Sequence, residues 1–437
     1  MVNKILLVFI YFYISKCYNE FTKIYEVFMK KKIAISCIAL MCASIVLSAC
    51  ASGGNSSESK NGKVKVRFAS WDVAEDIDKQ QSLVDKFNES HDDIEVVLEA
   101  YGRDFDTKIS AGMGSKDAPD LMYMWNYPAY YEGLEPLDSY IEKEGEDFKK
   151  NYYSALWDYN SIEGSIYGMP VGFTTHALFY NKDLFEEAGV DLPGENFTWD
   201  DLRTAAKTIS EKTNAKGFAF QMKPDPYDFE MYLWSNGTAY CDEKGDMKGK
   251  IDSEGSQEVF KMFQDMAKEE IAAVTEGNGT DEFRAGQVAM YIYGSWSINS
   301  LNEDNMNYGI TKLPNFGSKP SVSILSSSGI AMSKDSKNKD AAWEFMKYWT
   351  GEEANKARIG LELPVLETVI ESEKIMDDST YAPFYEMLKQ SAGYTPASFI
   401  QKNWSEVSEN LSLSFEEMFN PSTYRDVKET LEQAAQQ

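Results

Sequence analysis

Three short clusters join an aromatic ring to small polar side chains: Trp71-Asp72, Trp125-Asn126-Tyr127 and Gly294-Ser295-Trp296. Flat rings beside carboxylates, amides and hydroxyls suit the non-covalent capture of a small ligand with apolar faces and polar edges. Bond-making residue types are scarce by comparison. Only two histidines, His91 and His176, occur in 437 residues. Neither lies in a His-Glu-x-x-His arrangement, and a Ser-His-Asp triad has little to draw on. Gly-x-Ser-x-Gly and the phosphate-binding Gly-Lys-Ser/Thr loop are both absent from the sequence. Carboxylates are the exception, with 70 acidic against 43 basic side chains. A catalytic acid pair would need a separation of about 5–9.5 Å, a property of the folded chain that spacing does not reveal.

The clusters follow runs that read as strands. Val64, Val66 and Phe68 alternate with polar residues, and Ile94 to Leu98 forms a second apolar run. Between them, Ile77, Leu83, Val84 and Phe87 share one helical face. The three together predict a right-handed strand–helix–strand unit and a parallel sheet. A helix around Phe105 to Met113 leads into a strand at Leu121–Met124. Trp71 and Trp125 then follow two strands at the same edge of one sheet, where ligands of open α/β sheets collect. In the second half, Thr198-Trp-Asp-Asp201 has capping-box character, and Trp199, Leu202, Ala206 and Ile209 continue it at helical spacing. Val288 to Tyr293 reads as a strand ending at Trp296. Ala342, Phe345, Met346 and Trp349 form the core face of another helix. Asp242 to Gly249 lacks the Gly and the spaced acids of a calcium loop, which predicts a hairpin turn.

The first fifty residues read as an address. Met29 precedes Lys30-Lys31-Lys32, an apolar stretch from Ile33 to Val46, and Leu47-Ser48-Ala49-Cys50. This is the pattern of a secretory signal peptide, too short for a comfortable membrane span. Leu47–Cys50 resembles a bacterial lipobox, which implies lipidation of Cys50. Residues 1–28 are read as an upstream start-site artefact, with an extra membrane segment as the alternative although its apolar run of about ten residues is short for a span; 29–49 are read as the signal peptide and 50–62 as a polar tether. Loss of 1–49 removes six lysines and two acids, moving the net charge from −27 to −31. Such a charge repels phosphate backbones, so nucleic acid is excluded as a partner. Cys50 and Cys241 would be the remaining cysteines, and a lipidated Cys50 does not pair.

Four stretches, in order, resemble the extracellular solute-binding proteins of carbohydrate ABC importers, relatives of maltodextrin-binding proteins. They are Ala118-Pro-Asp-Leu-Met-Tyr-Met-Trp125; Ile166-Tyr-Gly-Met-Pro170 through Leu178-Phe-Tyr-Asn-Lys-Asp-Leu184; Phe283-Arg-Ala-Gly-Gln-Val-Ala-Met-Tyr291 with Gly294-Ser-Trp296; and Ser328-Gly-Ile through Asp340-Ala-Ala-Trp-Glu-Phe345. The resemblance implies a two-lobe α/β fold, each lobe a mostly parallel sheet flanked by helices, joined by a multi-crossing hinge. Lobe one would comprise 63–173 plus 326–385, and lobe two 174–325 plus 386–437. It implies a lipid-anchored, monomeric receptor on the outer face of a membrane that hands a carbohydrate to a permease, with no cofactor and no catalysis.

A sugar offers flat C–H faces rimmed with hydroxyls, which call for aromatic plates and polar neighbours. By the resemblance, Trp296 stacks on sugar. Trp71 and Asp72, then Trp125, Asn126 and Tyr127, occupy contact loops, with Tyr127 facing the cleft and Trp125 turned toward the core. Ser328 and Gly329 match a crossing that reaches ligand, and Tyr227 and Trp404 lie near ligand-lining stretches. Several relatives carry an acid before Tyr-Asn-Lys, where this chain has Thr174, Thr175 and His176, so sugar identity does not transfer. Arg103 is read as a surface ion-pair residue. A lipoprotein glycoside hydrolase, or the same fold with a peptide, polyamine or anion, stands as the alternative.

Overall fold

A computed structural model describes residues 62–436. The address peptide, Cys50 and most of the tether lie outside the described residues. Among those described, no helix is long and apolar enough to cross a membrane.

Alternation at Val64, Val66 and Phe68 produces strand β1 (Val64–Ser70), which runs parallel to β2 (Ile94–Ala100) from Val64↔Ile94 to Ser70↔Ala100. The helix Ala74–Ser90 connects them and buries Leu83, Val84 and Phe87. Its end is packed by His91, whose ring stacks on Phe87 at 3.9 Å between centroids. The helix Phe105–Ser115 leads to β3 (Leu121–Met124), buried at every position and parallel to β1. A small hairpin, β4 (Ser161–Ile162) and β5 (Ser165–Ile166), precedes β6 (Gly168–Thr175), also buried throughout. β12 (Leu325–Met332) lies between β3 and β6 and completes a first sheet in the order β2-β1-β3-β12-β6, the hairpin standing apart from it.

The second sheet runs β11-β7-β10-β8-β9, from β7 (Ala177–Asn181), β8 (Phe218–Gln221), β9 (Ala272–Thr275), β10 (Met290–Tyr293) and β11 (Tyr308–Thr311). The helix Trp199–Lys212 opens with the expected capping box of Thr198 and Asp201 and buries Trp199, Leu202, Ala206 and Ile209. Likewise Ala342, Phe345, Met346 and Trp349 of the helix Lys339–Thr350 are fully buried.

Two local expectations change. Each sheet is mixed rather than mostly parallel: β12 is antiparallel to β3 and β6, and β7 is antiparallel to β10 and β11. These are strands that enter or leave a sheet from the other one, so no crossover helix returns them in parallel. Asp242 to Gly249 forms turns without flanking strands, the Asp242 carboxylate accepting from the backbone N–H groups of Lys244 and Asp246.

The sheets are joined by continuous chain. Only His176 separates β6 from β7, and β12 pairs with β6 from Leu325↔Thr175 onward. The helix Ala382–Gln390 packs on both β6 and β7, and the Thr175 hydroxyl donates to the Phe384 carbonyl at 2.8 Å. The β6–β12 register shifts between Ser328 and Gly329, next to Pro170, which has no N–H to give the ladder. Glycine is required at 329 because a Cβ there would collide with Asn160 and the Tyr127 hydroxyl. Gly329→Ala is therefore expected to cost about 1–3 kcal/mol by overpacking. Gly194→Ala, at an exposed position with nothing near its Cβ, should stay within about 0.5 kcal/mol. Urea midpoints measure both, and equal midpoints for the two variants would contradict this packing.

Candidate ligand-binding cleft

The ends of strands from both sheets meet around a cleft of about 550 Å³. β1 delivers Trp71 and Asp72, β3 delivers Trp125 and Asn126, and β10 delivers Ser295 and Trp296. Ser326 to Ser328 of β12 and Phe173 and Thr174 of β6 form its floor. The helix Pro226–Ser235 adds Tyr227 and Asp228, and the helix Trp404–Phe419 adds Trp404 and Ser408.

Local bonds fix these side chains. Trp71 lies against Tyr123 at 4.8 Å and meets Phe105 edge-on at 5.3 Å. Asn126 caps the short helix Tyr127–Tyr130, and the Tyr159 hydroxyl donates to the Trp125 carbonyl at 2.9 Å. Trp125 thereby stands 48% exposed in the cleft. Opposite it, Trp296 is 53% exposed and held edge-on to Tyr293 at 5.4 Å. A Cβ on Gly294 would press on the Trp296 ring at 2.8 Å, so the turn needs a glycine there. Two bonds tie the second sheet's wall to the floor. The Ser295 N–H donates to the Thr174 hydroxyl at 2.9 Å, and the Tyr227 hydroxyl donates to the Leu325 carbonyl at 2.6 Å.

Charge is concentrated on one sign. Asp72, Asp76, Asp225, Asp228 and Glu362 line the cleft, with Arg358 the one cationic side chain among its lining residues. Arg358 is 2% exposed; its Nε donates to Glu362 at 3.2 Å and its Nη1 to the Trp349 carbonyl at 2.8 Å. Glu362 also accepts from the Ser328 hydroxyl at 2.9 Å. Burial raises the Glu362 carboxyl, with Arg358 acting against it. Asp72, bonded to Gln80 and Ser70, is pushed up to about 6, first by burial and then by Glu362 and Asp76. Asp228 keeps 37% of its side-chain surface exposed, yet its surroundings push it up to about 7, burial first and Asp225 second.

Of the ten residues expected at a ligand site, Trp71, Asp72, Trp125, Asn126, Tyr227, Trp296, Ser328 and Trp404 line this one cleft. Two do not. Tyr127 is fully buried with its hydroxyl bonded to Asn160, because the helix that Asn126 caps turns it inward and leaves Trp125 outward. Gly329 is buried beneath that same Tyr127–Asn160 pair. Arg103 stands outside the lining. Sequence reasoning missed Gln80, Tyr159, Phe173, Asp228, Arg358, Glu362 and Phe399, all lining residues. Asp228 had a signal, sitting beside Tyr227 in Asp225-Pro-Tyr-Asp-Phe-Glu230. Arg358 and Glu362 had none, since an i,i+4 charge pair reads as a solvated helix face.

Comparison with known proteins agrees with this geometry. The family model described as bacterial extracellular solute-binding protein matches residues 72–356. The galactooligosaccharide-binding protein of Bacillus subtilis is 25% identical over 367 residues, covering 79% of this chain and 84% of that protein. The maltotriose-binding protein of Pyrococcus abyssi is 24% identical over 328 residues, 71% of this chain and 68% of that protein. An ABC substrate-binding protein of Listeria monocytogenes, solved in complex with cycloalternan, superimposes with a TM-score of 0.73 at 24% identity, covering 85% of this chain and 97% of that one. The chain belongs to the bacterial extracellular solute-binding proteins.

Proposed function

We propose that this protein is the extracellular receptor of an ABC importer, capturing a saccharide between its two sheets and presenting it to the membrane permease. The observation that carries the reading is the pair of exposed tryptophans, Trp125 and Trp296, on opposite walls of a cleft edged with carboxylates and serines. Rings cover the C–H faces of a sugar, and the polar rim takes its hydroxyls. The names of the B. subtilis and P. abyssi relatives point to the same ligand class. In this reading 63–173 plus 326–385 and 174–325 plus 386–437 rotate as lobes about the crossings at His176 and Leu325. Cys50 carries the lipid that keeps the monomer beside its permease, and the protein has no catalytic role. A hydrolase is disfavoured because the matching family consists of binding proteins.

Titration calorimetry against a panel of mono- and oligosaccharides tests this. At least one saccharide should bind, and Trp296→Ala should weaken it about tenfold or more, as expected for loss of a stacked ring. Unchanged affinity in that variant would remove Trp296 from the site, and turnover of the sugar would defeat the receptor reading. Five lining carboxylates against one paired arginine also suit a cation. Spermidine therefore belongs in the panel, and binding of spermidine with no saccharide bound would transfer the site to polyamines.

The cleft holds carboxylates at some cost. Asp72 and Asp228 have folded values near 6 and 7, above those of an unfolded aspartate. Between about pH 4 and pH 7 the folded state binds more protons, so their contribution to stability falls as pH rises. His176, held down to about 4 by burial, acts the other way below about pH 6.5. Asp228→Asn isolates one group. Relative to the parent it should gain stability from pH 5 to pH 8 in urea melts, and a pH-independent difference would contradict the assignment.

A further inference from the structure

The cleft has a smaller neighbour. A hollow of about 70 Å³ opens beside it in the second sheet, and Asp225 and Asp228 border both spaces. Gln221, Asn278 and Tyr293 give the hollow polar edges, and His176 closes one side. His176 is the single residue between β6 and β7, and its backbone N–H is fixed by a bond to the Ser323 hydroxyl at 2.7 Å. His176 is 2% exposed, yet neither ring nitrogen has a hydrogen-bond partner among the described residues. Its Nε2 stands 3.8 Å from Asp228 Oδ1, beyond hydrogen-bond length. The ring also meets Trp296 edge-on, with centroids 6.3 Å apart.

A buried ring with both nitrogens unsatisfied carries a desolvation penalty that a suitable partner would relieve. Both ring nitrogens are covered in this conformation, so seating one oxygen within reach of Nε2 and Asp228 takes a turn of the part-exposed Asp228 side chain. That oxygen must donate to the carboxylate and accept from the imidazole Nε2–H. A hydroxyl does this with the tautomer that carries its proton on Nε2. An ammonium has no lone pair to offer, and an anion is repelled by Asp228. The volume is small, since one water occupies about 30 Å³ of liquid. It admits a hydroxymethyl group but not a second sugar ring.

We propose that this hollow is a side subsite of the cleft, which takes the exocyclic hydroxymethyl of a hexose unit seated on Trp296, its hydroxyl bridging His176 and Asp228. The proposal rests on the saccharide reading and adds a specificity determinant to it, because a sugar without that hydroxyl leaves the imidazole unpaired.

The chain's two histidines make the test direct. Protein labelled with ¹⁵N-histidine gives two sets of ring signals, assigned with His91→Gln. Maltotriose, cellotriose, galactotriose and then the rest of the saccharide panel are added in turn, and calorimetry identifies which of them binds. That saccharide should shift the His176 ring nitrogens and leave those of His91 in place. Its 6-deoxy counterpart should bind about five- to tenfold more weakly, and His176→Phe should abolish that difference. If a saccharide binds but the His176 signals stay still and the 6-deoxy sugar binds equally, the subsite is wrong and the receptor reading stands. If no saccharide of the panel binds, both fall. Should His176→Phe fail to fold, the spectra and the 6-deoxy comparison on the parent protein still decide.

Discussion

Unbroken chain between the two sheets is the constraint on which the rest of the structure depends. β6 becomes β7 across one residue, and β12 starts by pairing with the last residue of β6. Neither sheet can therefore be built without placing the other, and the walls of the cleft are anchored along a common floor. Serine and threonine side chains finish the join. Thr175 holds Phe384, Thr174 holds Ser295, and Ser323 holds both the His176 N–H and, through its own N–H, the Ser391 hydroxyl. Such residues satisfy the backbone groups of an irregular crossing without bulk.

A polar floor has a second consequence. Arg358, Glu362 and Ser328 form a connected set in nearly buried surroundings, and Arg358 spreads over the Trp349 ring at 4.9 Å. A buried ion pair of this kind adds little net stability against an apolar substitute, whereas removal of one partner strands the other. Its value lies in orientation: Glu362 and Ser328 keep fixed positions beside the space a ligand would fill. Asp72, bonded to Gln80 and Ser70, is fixed in the same way on the facing wall. Groups already oriented lose little freedom when hydroxyls arrive.

Much of the scaffold was legible because it follows local rules. Alternation placed β1, helical spacing placed the buried faces around Phe87, Trp199 and Trp349, and the Thr198–Asp201 box marked a helix start that the structure reproduces. Aromatic residues at strand ends pointed to Trp71, Trp125 and Trp296. What escaped was decided by distant partners. The antiparallel returns of β7 and β12 depend on which sheet the chain has just left, which no window of sequence encodes. Trp125 and Tyr127 exchanged their expected orientations because Asn126 caps a helix of a single turn, rotating its neighbours away from strand alternation. Gly329 serves the Tyr127–Asn160 contact rather than the cleft. Arg358 and Glu362 look like a surface pair until Gly172 and Ser328 are brought against them.

Capture between the sheets requires that both walls hold the ligand at once. A crystal structure grown with the tightest-binding saccharide of the calorimetric panel tests it most directly. A sugar is expected between the walls, one ring face on Trp296, hydroxyls on Asp72, Asp228 or Glu362, with the Trp125 and Trp296 walls closer together than they stand without ligand. Sugar bound outside the cleft, or held by one wall with the separation unchanged, would contradict it.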